Sequence, residues 1–240
     1  MSSWRQRPDT LLEGLLLAAV GGFMDAFTFV RFGVFANIQT GNIVLIGVRL
    51  SNTHWVAAAL HLIPVAAFIV GVVGVDLLGR PKVYRKVRRP VRVALCVEIV
   101  GLAVVAALPD SVPGPVITII VSLVAAIQFT SFRTLVDTPY TTLAASGNLR
   151  TMASAIHRRL LDHDVDAGRQ ASRLAEVVFT FTVAAAVGAV VTKHAGNTAA
   201  AVAAAMLLIT LTIFITETIR LERSAAAEAA RQAAEEPSDG

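Results

Sequence analysis

Phe35-Ala36-Asn37-Ile38-Gln39-Thr40-Gly41-Asn42-Ile43-Val44-Leu45 decides how the rest of the chain is read. Polar side chains at Asn37, Gln39, Thr40 and Asn42 would suit an ordinary turn in a soluble protein. Here the stretch follows an apolar run, Leu11 to Val30, and more apolar sequence comes after it. In a membrane such a break needs protein or water around it to satisfy its backbone. Thr40-Gly41-Asn42 before Ile43-Val44-Leu45-Ile46 carries the signals of a helix start: a capping residue, a flexible glycine, then an apolar run. A second copy, Ala145-Ser146-Gly147-Asn148-Leu149, places Gly147 106 residues after Gly41.

Composition supports the membrane setting. Of 240 residues, 55% are hydrophobic and 16% charged, against about 25% charged in a typical soluble domain. Long apolar runs with few charges are the mark of transmembrane helices. The single cysteine, Cys96, rules out a disulfide framework within the chain. A pI of about 9.8 does not point to nucleic acid. The Arg and Lys residues cluster beside apolar runs, as the positive-inside rule describes, with no aromatic-interleaved basic surface.

The apolar pattern predicts an all-α polytopic membrane bundle of six transmembrane helices, at about 11–30, 55–79, 92–108, 116–136, 173–192 and 198–219. Each is close to the ~20 residues that cross a bilayer core. Short helices are expected at about 42–50 and from Asn148, with 33–40 extended and dipping into the membrane and 137–172 as a polar loop. Pro64 is placed to kink the second helix. Basic residues concentrate in 5–7, 80–92, 150–173 and 220–223. Six crossings put all of them on one side, so both termini are expected in the cytoplasm of a cell (inner) membrane. The loops 31–54, 109–115 and 193–197 then face outward. Residues 1–10 form a lead and 220–240 a cytoplasmic tail.

Sliding the chain by 106 residues matches Phe23 with Phe129, Thr28 with Thr134, Thr40 with Ser146, Gly41 with Gly147 and Asn42 with Asn148. The halves, 11–108 and 116–219, then each hold three crossings and a polar break. Three is odd, so the second half enters the membrane inverted, the design of many secondary transporters.

Gly22-x-x-Asp25-Ala26 and Val34-Phe35-Ala36-Asn37-x-Gln39-Thr40-Gly41-Asn42 resemble the YoaK-like family of six-helix bacterial membrane proteins. Gln128 and the later Ser146-Gly147-Asn148, where that family usually shows Thr-Gly-Asn, extend the likeness over about 10–220. The resemblance implies a bacterial inner-membrane protein with no established activity, and it supplies no catalytic residues.

Asp25 is an ionisable group within an apolar helix, a functional-site hypothesis by default. Gly14, Ala18, Gly21, Gly22 and Thr28 share its face, which favours close helix packing. The bland alternative is that Asp25 hydrogen-bonds the nearby broken backbone. Asn42 and Asn148 sit where a short helix offers free N–H groups to a polar solute, or simply cap it. The candidate solute site is Asp25, Gln39, Thr40, Asn42, Gln128, Ser146 and Asn148. Arg133 is expected near the cytoplasmic end of the fourth helix, satisfied by Glu98, Glu176, Asp76 or loop carbonyls rather than by Asp25. His61 reads as a packed membrane histidine. His157 and His163 lack metal-ligand spacing, and no nucleophile–base pair emerges. No metal, cofactor or catalytic residue is therefore expected. The leading expectation is a transporter or permease for a small solute. A non-transporting scaffold or partner subunit comes second, and an intramembrane enzyme last. Lipid is the expected surroundings, nucleic acid is excluded as a partner, and an oligomer is compatible with the sequence.

Overall fold

The computed structural model describes residues 10–78, 90–132, 134–135, 138–140 and 145–235. Helix α1 (Leu11–Phe32) opens on a capping box. Thr10 accepts the Glu13 amide at 3.3 Å, and the Glu13 carboxylate accepts the Thr10 amide at 3.0 Å. It closes at Gly33, whose φ of 69° is the left-handed turn that glycine adopts without strain. After a non-helical stretch come α2 (Gln39–Ser51) and α3 (Trp55–Leu78). Pro64 lies within α3 without ending it. Next are α4 (Pro90–Ala107) and α5 (Gly114–Ser131), then a two-residue antiparallel pairing of β1 (Thr134–Leu135) with β2 (Thr138–Pro139). α6 (Ala145–Leu161), α7 (Val165–Ala195), a 3-10 turn (Gly196–Ala199) and α8 (Ala200–Glu235) complete the chain.

Among the described residues, four stretches are long and apolar enough to cross a membrane: Leu11–Phe32, Trp55–Leu77, Gly114–Ser131 and Val165–Glu228. The last is a run of 64 residues that contains α7 and most of α8. Apolar side chains cover the outside of the bundle, among them Val56 and Val70 of α3, Val100 of α4, Phe179 and Val190 of α7 and Leu208 of α8. The core mixes large apolar groups such as Phe23, Phe27 and Leu102 with buried Asp25, Thr28, Asn42, Glu98 and Gln128. Polar groups inside and apolar groups outside suit lipid as the solvent. The chain is a helical membrane protein on these grounds.

Several helix bounds differ from the expectation. The polar loop expected at 137–172 holds α6 and the start of α7. Asp164 caps α7 by accepting the Ala167 amide at 3.0 Å, so this helix begins eight residues early. The last helix runs on through the expected tail to Glu235. Asn42 and Asn148 do not begin their helices; each stands one turn inside, in helices that start at Gln39 and Ala145. Most of the basic loop 80–92 lies outside the described residues, as does Arg133.

Packing follows a regular scheme. α1 lies against α7 and α8, and α5 lies against α3 and α4. α2 packs on α3 as α6 packs on α7, while α4 meets α8 and α1 meets α5. Glycine allows the closest approaches. A Cβ at Gly22 would run into the main-chain carbonyl of Phe181, and one at Gly188 would stand 3.0 Å from the Cα of Phe23. Both positions join α1 to α7, in the way small residues bring membrane helices together.

One end of the bundle is tied by polar contacts. Arg31 Nη2, at the end of α1, donates to Asp110 Oδ1 at 2.8 Å and to Asn197 Oδ1 at 3.3 Å. The Asn197 amide also donates to Asp110 Oδ1, at 2.8 Å. Residues from three of the turns expected on one side of the membrane thus meet at one end of the molecule.

Candidate functional site

The stretch from Gly33 to Ile38 folds back along α1. Its polar backbone is satisfied almost group by group, as burial requires. Asn42 accepts the Phe35 amide at 3.0 Å and donates to the Phe35 carbonyl at 2.7 Å. The Ala36 amide donates to Thr28 Oγ1 at 3.1 Å, and the Ala36 carbonyl accepts Gln39 Nε2 at 2.7 Å. The Asn37 amide donates to Asp25 Oδ1 at 2.9 Å, and the Asn37 carbonyl accepts the Gln39 amide at 3.0 Å. The Ile38 carbonyl accepts the Gly41 amide at 3.0 Å. Asn42 Nδ2 also donates to Gln39 Oε1, at 2.8 Å, which locks the two side chains together.

Asn37 fixes the depth of the break. Its Nδ2 donates to the carbonyl of Gly21 at 2.8 Å. Gly21 lies ten residues before Arg31, so the contact is roughly 15 Å down the helix at 1.5 Å per residue. Residues 33–38 of the stretch expected at 33–40 are non-helical and lie along α1, and the helix that follows starts three residues sooner than expected.

The second break approaches the same helix. Gln128, near the end of α5, donates from Nε2 to the Leu17 carbonyl at 2.8 Å. Leu135 and Tyr140, beyond it, pack with Ala18 in a small cluster that also holds Leu174 and Val177. Leu17 and Gly21 are four residues apart, about 6 Å along α1. Asn37 of the first break and Gln128 of α5 thus reach one helix within about a turn of each other, and Leu135 and Tyr140, past the end of α5, pack beside them on Ala18.

Of the expected site residues, Asp25, Gln39 and Asn42 come together at the first break, and Gln128 joins them along α1. Thr40 and Ser146 are exposed, apart from this cluster. Asn148 is buried in the first turn of α6. Glu98 is buried on the core face of α4 between Leu95 and Leu102, and neither carboxylate oxygen has a hydrogen-bond partner among the described residues. Glu176 is exposed on α7, so it is no buried counter-ion. The pairing expected for Arg133 falls outside the described residues. His61 is buried in α3, as a packed histidine would be. Among the described residues no group of three His, Cys, Asp or Glu side chains is placed to hold a metal ion.

Two participants lie outside the expected set of site residues. Asn37 stands in the quoted stretch and Thr28 on the face of Asp25, so the sequence holds a signal for both. The Arg31–Asp110–Asn197 cluster has no signal in spacing or composition.

A family model described as "Protein of unknown function (DUF1275)" matches residues 14–213. The chain belongs to the DUF1275 family. The YoaK-like resemblance read from the two motifs agrees with that membership. No curated protein and no solved structure matches the chain. The matched region of this DUF1275 chain takes in both polar breaks and every hydrogen bond that ties them to α1.

Proposed function

We infer that the chain is a membrane transporter for a small solute, built from two three-crossing halves of opposite orientation. The observation that carries this reading is the meeting on α1 of the first break, through Asn37, and of the segment after α5, through Leu135 and Tyr140, inside a bundle whose outside is apolar. Broken helices at a repeat interface are where secondary transporters hold their substrates.

Helix order and packing support the repeat. Gln39 and Ala145, the first residues of α2 and α6, are separated by the same 106 residues as the two Gly-Asn pairs. Matching α1 with α5, α2 with α6, α3 with α7 and α4 with α8 turns each main helix pairing into another. The α1–α7 pairing becomes α5–α3, α2–α3 becomes α6–α7, and α1–α8 becomes α5–α4. On this reading α1, α3, α4, α5, α7 and α8 cross the membrane. Both termini lie in the cytoplasm of a bacterial inner membrane, in accord with the basic clusters. The halves rock about the α1–α5 contact, and the Arg31–Asp110–Asn197 cluster closes the outer end. No enzymatic step is assigned.

A specific observation favours the scaffold reading as second. Asp25, Gln39 and Asn42 each hydrogen-bond the backbone of 35–37, which holds the break in place. Flux separates the two readings. The purified protein, reconstituted in liposomes, is expected to take up at least one of a panel of labelled amino acids, sugars, nucleobases and organic ions above the protein-free level. Uptake at the protein-free level across the panel, under either gradient direction and with the protein shown to be folded, would support the scaffold.

A further inference from the structure

Along the inner face of α1, three buried acceptor atoms are left over once the break has been tied down. Asp25 gives Oδ1 to the Asn37 amide, and its Oδ2 has no partner among the described residues. Asn37 and Gln128 donate their amide hydrogens to the carbonyls of Gly21 and Leu17. The amide oxygens, Asn37 Oδ1 and Gln128 Oε1, have no partner among the described residues either. The three residues are 4%, 6% and 0% exposed, so bulk water does not serve them.

These leftover atoms are all acceptors, and one belongs to a carboxylate. Burying an ionised carboxylate without a partner costs several kcal/mol or more. The basic residue next along α1 does not balance it, because Arg31 is held by Asp110 and Asn197. No ion pair to Asp25 occurs among the described residues. A proton on Asp25 Oδ2 would remove that cost; a ligand that brings positive charge and takes oxygen ligands would meet it too, and would also engage the two amide oxygens.

We propose that Asp25 Oδ2, Asn37 Oδ1 and Gln128 Oε1 form a binding site for a small monovalent cation. Carboxylate and amide carbonyl oxygens are the ligands that hard cations prefer. One carboxylate matches one positive charge, whereas a divalent ion would leave net charge in an apolar core. The site draws on α1, the first break and α5, so an ion held there joins the two halves. The role of that ion as cargo or coupling ion rests on the transporter reading; its binding does not.

Binding is therefore measured without flux. The melting temperature of the detergent-purified protein is followed in lithium, sodium, potassium and methylammonium chloride, with N-methyl-D-glucamine chloride as the large-cation reference. At least one small cation is expected to raise it saturably, by about 5 °C or more at a hundredfold excess over its Kd. Asp25→Asn keeps an oxygen for the Asn37 amide and removes the charge, so it should fold and lose the shift. Gln128→Met should require roughly tenfold more cation. Should Asp25→Asn fail to fold, equilibrium binding of labelled sodium or rubidium to the wild-type chain decides. The expectation is one ion per chain, displaced by small monovalent cations and not by calcium. Equal melting in all the salts with no labelled ion bound would overturn the proposal, as would a shift retained in folded Asp25→Asn. Cation binding without solute uptake would sink the transporter reading alone. Solute uptake without cation binding would sink this inference alone.

Discussion

Asn42→Ala should destabilise the protein by about 3 kcal/mol, counting about 1 kcal/mol for each hydrogen bond lost. Asn42 is fully buried and serves three groups: the amide and carbonyl of Phe35 and the Oε1 of Gln39. Alanine removes all three contacts and supplies no replacement. The Phe35 backbone groups would then be left unsatisfied in a membrane interior, where water is scarce. For a chain of this size the melting temperature in detergent should fall by roughly 6–12 °C. Thr40→Ala, two residues away on an exposed position, should change stability by less than about 0.5 kcal/mol. If the two variants melt within a degree of each other, Asn42 does not hold the break.

Gly22→Leu should have a larger effect and act through a different contact. The hydrogen that glycine presents at this point faces the main-chain carbonyl of Phe181. A flexible side chain could move aside, but a helix backbone cannot move without shifting α7 as a whole. Overpacking a tight core typically costs about 1–3 kcal/mol, and a clash with backbone lies at or beyond the upper end of that range. The variant is expected to elute in the void volume on size exclusion, and the wild type to elute as a single included peak. Gly47→Leu is the control, because nothing lies within 4 Å of the Cβ it would add. Normal elution and melting of Gly22→Leu would show that α1 and α7 do not pack as described.

The contrast between these sites tracks what is legible in the sequence. The long helices are legible because an apolar run of bilayer length suits little besides a membrane crossing. α6 is legible in part. Ser146-Gly147-Asn148 signals a short helix from Asn148, but Arg150, Arg158 and Arg159 make the stretch read as hydrated, and its length to Leu161 and its buried side at Asn148 and Ala155 are not announced. An amphipathic helix with so narrow a buried face has little apolar signal to find. The start of α2 departs from expectation for another reason. Thr40 and Asn42 have the form of forward caps, whereas Asn42 reaches backward to Phe35. Asp25 is legible as a problem, a charge inside an apolar helix. Its partner, the Asn37 amide, becomes visible only once the chain is seen to fold back on α1. Arg31, Asp110 and Asn197 are single polar residues in separate turns, and only the three-dimensional arrangement brings them together.

We propose that the two halves stand in the membrane with opposite orientation. Thr40 and Ser146 occupy matching positions in the first turns of α2 and α6, and both are exposed. Single cysteines at these positions, in a Cys96→Ser background, can be tested with a membrane-impermeant thiol reagent on intact cells. Thr40→Cys is expected to react from outside, and Ser146→Cys only after the membrane is permeabilised. Reaction of both from the same side would contradict the inverted arrangement and the transporter reading built on it.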